Sequence, residues 1–304
     1  MLHEDGKQEG VKVGYTRKGL KPCHHPLIGV LAEAKMIAGY WLRSGNCADA
    51  GNVIEFCRSL FARLPKHIRV ALVRADSGFA DDKFFTYLDL LGIRYIVANA
   101  LMPNIKRLCR HDDEHWQSTN VAGLDVQEVQ WHRPGQRLIV IRQRIQRRPH
   151  AGGKLLIDVP GYRFQALLTS LPGTYAPLQI WRTYNGRADC ENRIKELGAQ
   201  FGLRGICCKR FWATDAAHHL AIATYNLCVL FQRKLGIPRK AELRTLRMHL
   251  FCRAAVFSRA QNRPTLRIAL EDKYRQWWMQ ILGRLRSPLP PSTLCCNAAE
   301  RIHA

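Results

Sequence analysis

The run Ile68-Arg69-Val70-Ala71-Leu72-Val73-Arg74-Ala75 does most to restrict what this chain can fold into. It is short, rich in β-branched and apolar residues, and stops at Asp76-Ser77-Gly78-Phe79, so it reads as a strand closed by a tight turn. Helical signals begin at Asp81-Asp82-Lys83-Phe84-Phe85 and run to Leu91, and Tyr95–Ala98 reads as another short strand. Strands alternating with helices require an α/β fold, in which helices cover a sheet. A buried strand that ends in an acid can hold its carboxylate at the carboxyl edge of the sheet, where ligands bind. Asp76 by itself can equally be a turn residue ahead of the next helix.

Upstream, Leu27–Glu33 and Met36–Leu42 read as two strands, with Ala34-Lys35 as a connection of hairpin length. Residues 1–22 are polar and rich in Gly and Lys, without periodicity. Ala48–Leu64 is a helix, because Val53, Ile54, Cys57, Leu60, Phe61 and Leu64 recur at helical spacing. His24 and His25 invite a metal reading, but neighbours on a strand point to opposite sides.

From about His111 to Arg163 the character changes. Val126–Trp131 and Leu138–Ile145 are strand-like, with Pro134-Gly135 as a turn, and form an antiparallel insertion. The span 133–148 carries six Arg and no acid, and Trp116 and Trp131 lie close by in sequence. Arg142 and Arg144 for phosphate and Trp131 for base stacking would suit a nucleic-acid-gripping sheet. A basic solvent face over core tryptophans explains the same pattern.

Tyr162–Leu171 reads as a strand, and from Arg187 the residues favour helix. Tyr184, Arg187, Glu191, Ile194 and Lys195 recur at intervals of three or four and share roughly one face. A surface ion pair between Arg187 and Glu191 would account for part of this, at ~0.3–0.5 kcal/mol. A long helix follows over Asp215–Leu235, with Ala216, Leu220, Ala223, Leu227 and Leu230 as its buried stripe. His218 and His219 on that helix read as packed residues. From residue 204 to the end there are eighteen Lys or Arg against five acids, in a region read as helical and basic.

Asp76 within Arg-Ala-Asp-Ser-Gly-Phe, followed by Tyr184-x2-Arg187-x3-Glu191, resembles the DDE transposases of bacterial insertion sequences. The similar subgroup carries a Tyr-x2-Arg-x3-Glu-x6-Lys signature on its last catalytic helix. Lys7-Gln8-Glu9-Gly10, His24-His25-Pro26-Leu27, Leu42–Asn46 and Gly92–Val97 add to the resemblance, which runs from about residue 5 to about residue 235. It implies a ribonuclease-H-like core with the β insertion and a basic C-terminal region. The expected divisions are 1–110 and 164–235 for the core, 111–163 for the insertion and 236–304 for the basic region.

The resemblance further implies DNA cleavage and strand transfer at insertion-sequence ends. Asp76 and Glu191 would be catalytic carboxylates holding Mg²⁺ in a two-metal site, with Arg187 and Tyr184 on the DNA. Two departures qualify it. The signature Lys falls on Gly198, and the family's first catalytic Asp, on the core's first strand, lies ahead of the Lys-Gln-Glu-Gly stretch, where this chain has only Met1–Gly6. The expectation is therefore an amino-terminally truncated transposase with impaired chemistry. The alternative is a non-catalytic DNA-binding remnant that inhibits a full-length transposase.

Composition agrees with a polyanion as partner. A net charge of +23 over 304 residues points first to nucleic acid, with a membrane surface as a lesser reading. No run of ~18 apolar residues and no signal-peptide layout is present, so the expectation is a cytoplasmic protein without a membrane span. Eleven cysteines without a Cys-x-x-Cys pair read as reduced thiols rather than zinc ligands. A homodimer is a further expected partner.

Overall fold

The computed structural model describes residues 2–3, 7–16, 19–48, 50–110, 115–145, 161–237, 241–259 and 262–287. The chain divides into two compact units, Met1–Asn46 with Cys190–Ala304, and Cys47–Asp189.

In the first unit, β1 (Leu2–His3), β2 (Lys12–Thr16) and β3 (Gly19–His24) form an antiparallel sheet in the order β1-β3-β2. The stretch 1–22, which shows no periodicity in sequence, thus contains a hairpin. Its apolar residues Val13, Tyr15 and Leu20 are exposed, so no burial pattern marks it. Gly14 faces Gly45 across this sheet beside the fully buried Cys23, and a Cβ on either glycine would strike backbone carbonyl atoms. β4 (Leu27–Leu31) and β5 (Met36–Trp41) pair as the expected hairpin, with Leu27 opposite Trp41. The connection is longer than expected, because β4 ends at Leu31 and the turn closes through Lys35 at φ 52°. This hairpin is a two-stranded sheet of its own.

The second unit opens with α1 (Val53–Arg63), which buries Val53, Phe56, Cys57 and Leu60. β6 (Leu72–Ala75) ends in a short 3₁₀ turn (Ser77–Phe79). α2 (Asp82–Leu90) starts where the Asp81 carboxylate accepts from Phe84 N at 2.9 Å, the usual way to satisfy an orphan helix donor. Then come β7 (Arg94–Asn99), α3 (Pro103–Arg110), β8 (Gln117–Ser118), β9 (Leu124–Gln130), β10 (Arg137–Arg144), β11 (Tyr162–Thr169) and α4 (Pro177–Asn185).

These strands make one six-stranded mixed sheet, ordered β6-β7-β11-β10-β9-β8. Only β6 and β7 are parallel; every other pair is antiparallel. Central β10 is buried on both faces from Arg137 to Ile141, which suits its continuous Leu-Ile-Val-Ile run. One face, carrying Leu124, Val126, Ile139, Ile141 and Leu167, packs against Ile180 and Tyr184 of α4.

The chain returns to the first unit along α5 (Ala188–Gln200) and α6 (Phe211–Lys234). Ile37, Tyr40 and Leu42 pack there with Leu197, Leu203, Ala221, Ile222, Tyr225 and Val229. The free edge of β5 is met by side chains rather than by another strand. Asn226 accepts from Ile37 N and donates to Ile37 O, both at 2.9 Å, and Tyr225 Oη donates to Lys35 O at 3.0 Å.

The C-terminal region is not wholly helical. After α7 (Leu243–Leu246) and a π-helical turn (Arg247–Phe251), β12 (Ala255–Ser258) and β13 (Thr265–Ile268) form a hairpin before α8 (Asp272–Arg286).

The stripe expected to be buried on α6 is instead exposed: Leu220 is 71% and Leu227 64% accessible. The buried face is Thr214, His218, Ala221, Ile222, Tyr225, Val229 and Gln232. Its polar members have partners. His218 Nδ1 meets Tyr40 Oη at 2.6 Å and Nε2 meets Ile206 O at 2.9 Å, while Gln232 Oε1 accepts from Ala241 N. Among the described residues no helix is long and apolar enough to cross a membrane.

Candidate functional site

Strand order fixes which residues share an edge of the six-stranded sheet. Ala75 lies opposite Val97, Asn99 opposite Ala166, and Tyr162 opposite Arg144. The carboxyl end of β6 therefore points the same way as the start of β11 and the end of β10. Asp76, Arg144 and Arg163 belong to that edge.

Asp76 caps the 3₁₀ turn, its Oδ1 accepting from Ser77 N at 2.8 Å. Its side chain is 59% exposed, and Oδ2 stands 3.7 Å from Arg187 Nη1. The Arg187 guanidinium lies over the Tyr184 ring, 5.3 Å from its centre, a cation–π contact that fixes its direction. Tyr184 is itself buried under the sheet face.

Tyr184, Arg187 and Glu191 do not share one helix, contrary to the periodicity. α4 ends at Asn185, the chain turns through Gly186 and Arg187, and α5 begins at Ala188. In a continuous helix Thr183 O would accept from Arg187 N. Here Arg74 Nη1 of β6 takes Thr183 O at 2.6 Å, and Arg187 N turns to Tyr184 O at 2.8 Å. Gly186 permits this, since a Cβ there would sit 2.7 Å from Arg74 Nη1. Arg74 is thus a residue that the sequence reading missed, although it lies two positions before Asp76 and points to the same side of its strand. Glu191 is half-buried on α5 and belongs to the other compact unit. Gly198, further along α5 and standing where the signature has Lys, is met by the side chain of Arg204 from beyond the helix.

Beside the site, a cavity of about 260 Å³ is lined by Ile141, Gln143, Arg163, Gln165, Trp181 and Asn185. Gln143 faces Arg163 and Ile141 faces Gln165 across β10 and β11, so the polar groups lie on one face beyond the apolar core. The Arg-x-Gln alternation at 163 and 165 was the available sequence signal.

The expected DNA-gripping residues separate. Arg142 is tied up: Nε is 2.8 Å from Asp125 Oδ2, and its guanidinium lies between the rings of Trp116 and Tyr162 at 4.7 and 5.1 Å. Arg144 is exposed at the end of β10. Trp131 bonds through its backbone N–H to Gln136 O, at the opposite end of β10, roughly 25 Å away along the strand.

In kind, Asp76 and Glu191 suit a hard cation, being oxygen donors. In number they fall short: among the described residues no group of three His, Cys, Asp or Glu could hold a metal ion.

The mixed α/β sheet thus carries an exposed carboxylate and arginines at one end. Residues 6–289 match the family Transposase DDE domain group 1, and the chain belongs to that family. No curated protein matches the chain.

Proposed function

We propose that the chain is a cytoplasmic transposase that breaks and joins phosphodiester bonds at the DNA ends of an insertion sequence, on a ribonuclease-H-like core. The observation that carries this reading is the exposed Asp76 carboxylate at the end of β6, beside Arg187 and at the same end of the sheet as Arg163, in a family member of charge +23. Asp76 and Glu191 are the carboxylates we assign to Mg²⁺. An ion held by them would supply charge neutralisation at the reacting phosphate and a more acidic attacking hydroxyl.

The chain's own residues prepare the site. Arg187 offers its fork to a DNA phosphate, a geometry it fits in two places at once. In the free protein that guanidinium faces Asp76. A phosphate that takes over Arg187 releases the second carboxylate oxygen, so DNA binding would precede full use of Asp76. Tyr184 keeps Arg187 pointed at the edge, and Arg144 extends the cationic track away from it. Gln143, Gln165 and Trp181 give the neighbouring cavity hydrogen-bonding and stacking groups of the kind that grip unpaired DNA.

A second reading, DNA binding without cleavage, is favoured by the count of metal donors among the described residues. Such a chain would occupy element ends and inhibit a full-length transposase. A supercoiled plasmid carrying the DNA that flanks the gene separates the two. Nicking with Mg²⁺ that disappears in both Asp76→Asn and Glu191→Gln supports the transposase. Salt-sensitive binding with no nicking leaves the inhibitor.

A further inference from the structure

The turn that follows α4 departs from a helix by very little. Gly186 has φ −56° and ψ −13°, a helical conformation, and its N–H still reaches Arg182 O at 3.2 Å. One residue on, the ladder tightens. Arg187 N donates to Tyr184 O at 2.8 Å and Asp189 N to Gly186 O at 3.3 Å, each three residues back rather than four. The interruption is a short 3₁₀ step, a form the chain uses only in short pieces because its hydrogen bonds are poorer.

The step persists because two donors contend for one acceptor. Thr183 O can take the Arg187 amide, which would carry the α-helix onward, or the Arg74 guanidinium. A hydrogen bond from a charged donor is roughly twice as strong as a neutral one. Gly186 adds little to the other side, since glycine favours helix less than any residue but proline. Arg74 therefore holds the carbonyl, at 2.6 Å. The consequence reaches Asp76. A 3₁₀ step turns about 120° per residue and an α step about 100°. A guanidinium about 8 Å from the helix axis moves about 3 Å when one step relaxes by that difference. Such a movement is enough to part Arg187 from Asp76, which is 3.7 Å away.

We propose that Arg74 is a positioning residue: by taking Thr183 O it keeps the step tight, and so keeps Arg187 turned to the Asp76 end of the sheet. Its effect on DNA presupposes that Arg187 takes a DNA phosphate, as proposed above.

Two variants release the carbonyl from opposite sides. Arg74→Ala removes the donor. Gly186→Ala puts a methyl group 2.7 Å from Arg74 Nη1, at a φ that alanine accepts, and carries the test if Arg74→Ala does not fold. In NMR of the free protein carrying isotope-labelled arginine, both should move the Arg187 amide signal in the same direction, with thermal melts unchanged. Anisotropy with the flanking DNA should show each variant binding roughly tenfold more weakly, with a salt slope lower by about 1. Arg74→Ala/Arg187→Ala should bind no more weakly than Arg187→Ala, because Arg74 acts through Arg187. Arg74→Lys, which keeps one charged donor, should restore most of the affinity. An unmoved Arg187 amide in Gly186→Ala overturns the proposal. So do losses that multiply to roughly a hundredfold with a slope lower by about 2, since Arg74 would then hold phosphate itself. A moved amide in a protein whose wild type binds no DNA would instead defeat the phosphate role of Arg187, and leave Arg74's hold on the step standing.

Discussion

Arg142, Arg144 and Arg187 look alike in sequence but stand in different surroundings, and substitution should separate them. Arg142→Ala leaves the half-buried Asp125 with Ser118 but without its cation, and removes the filling between Trp116 and Tyr162. We expect a loss of about 2 kcal/mol in urea unfolding, with little change in the DNA affinity of the folded fraction. Arg144→Ala and Arg187→Ala should leave stability nearly intact. Each should weaken DNA binding and lower the slope of log affinity against log salt by about 1, as measured by anisotropy over a salt series. Burial also writes a pH dependence. It pushes the thiols of Cys57 and Cys109 from 9.0 up to about 12 and about 11, and the Tyr95 phenol from 10.0 up to about 12. The unfolded chain gives up these protons first. Stability from these groups is therefore complete below about pH 9 and declines as pH rises to 12. Urea midpoints between pH 8 and 12 should fall, and Cys57→Ser should flatten the first part of that fall.

At the scale of elements, side-chain clasps matter as much as ladders. Asn226→Ala removes both bonds to Ile37 at the edge of β5 and should cost about 1–3 kcal/mol, read from a thermal melt. Gly45→Ala places a methyl group on the carbonyl oxygens of Cys23 and Lys12, backbone that cannot swing aside, and should cost at least as much. The same elements show what the sequence could reveal. β6, α2, β7, β9 and β10 were legible because their apolar runs and turn residues agree with the observed burial. α6 was legible as a helix but not in its orientation. Its inward face includes Thr214, His218 and Gln232, whose polarity is cancelled by partners that the helical period does not reveal, Cys208, Tyr40 and Ala241, so periodicity chose the more apolar face. The break after Asn185 was hidden for a similar reason: Arg74, over a hundred positions away, takes the carbonyl that would have continued the helix. Asp76 itself was readable, since a strand followed by Ser-Gly leaves its last acid at an edge.

For the whole molecule, the proposed function assigns Asp76 and Glu191 to one metal-dependent reaction on DNA. Chemical cleavage by a substituted ion tests that claim most directly. Fe²⁺ in place of Mg²⁺, with ascorbate and peroxide and with the flanking DNA bound, cuts a polypeptide close to where the ion sits. Backbone cuts are expected near both Asp76 and Glu191, suppressed by excess Mg²⁺ and both lost in Asp76→Asn. Cuts near only one of the two residues, or cuts that Mg²⁺ does not suppress, would contradict it.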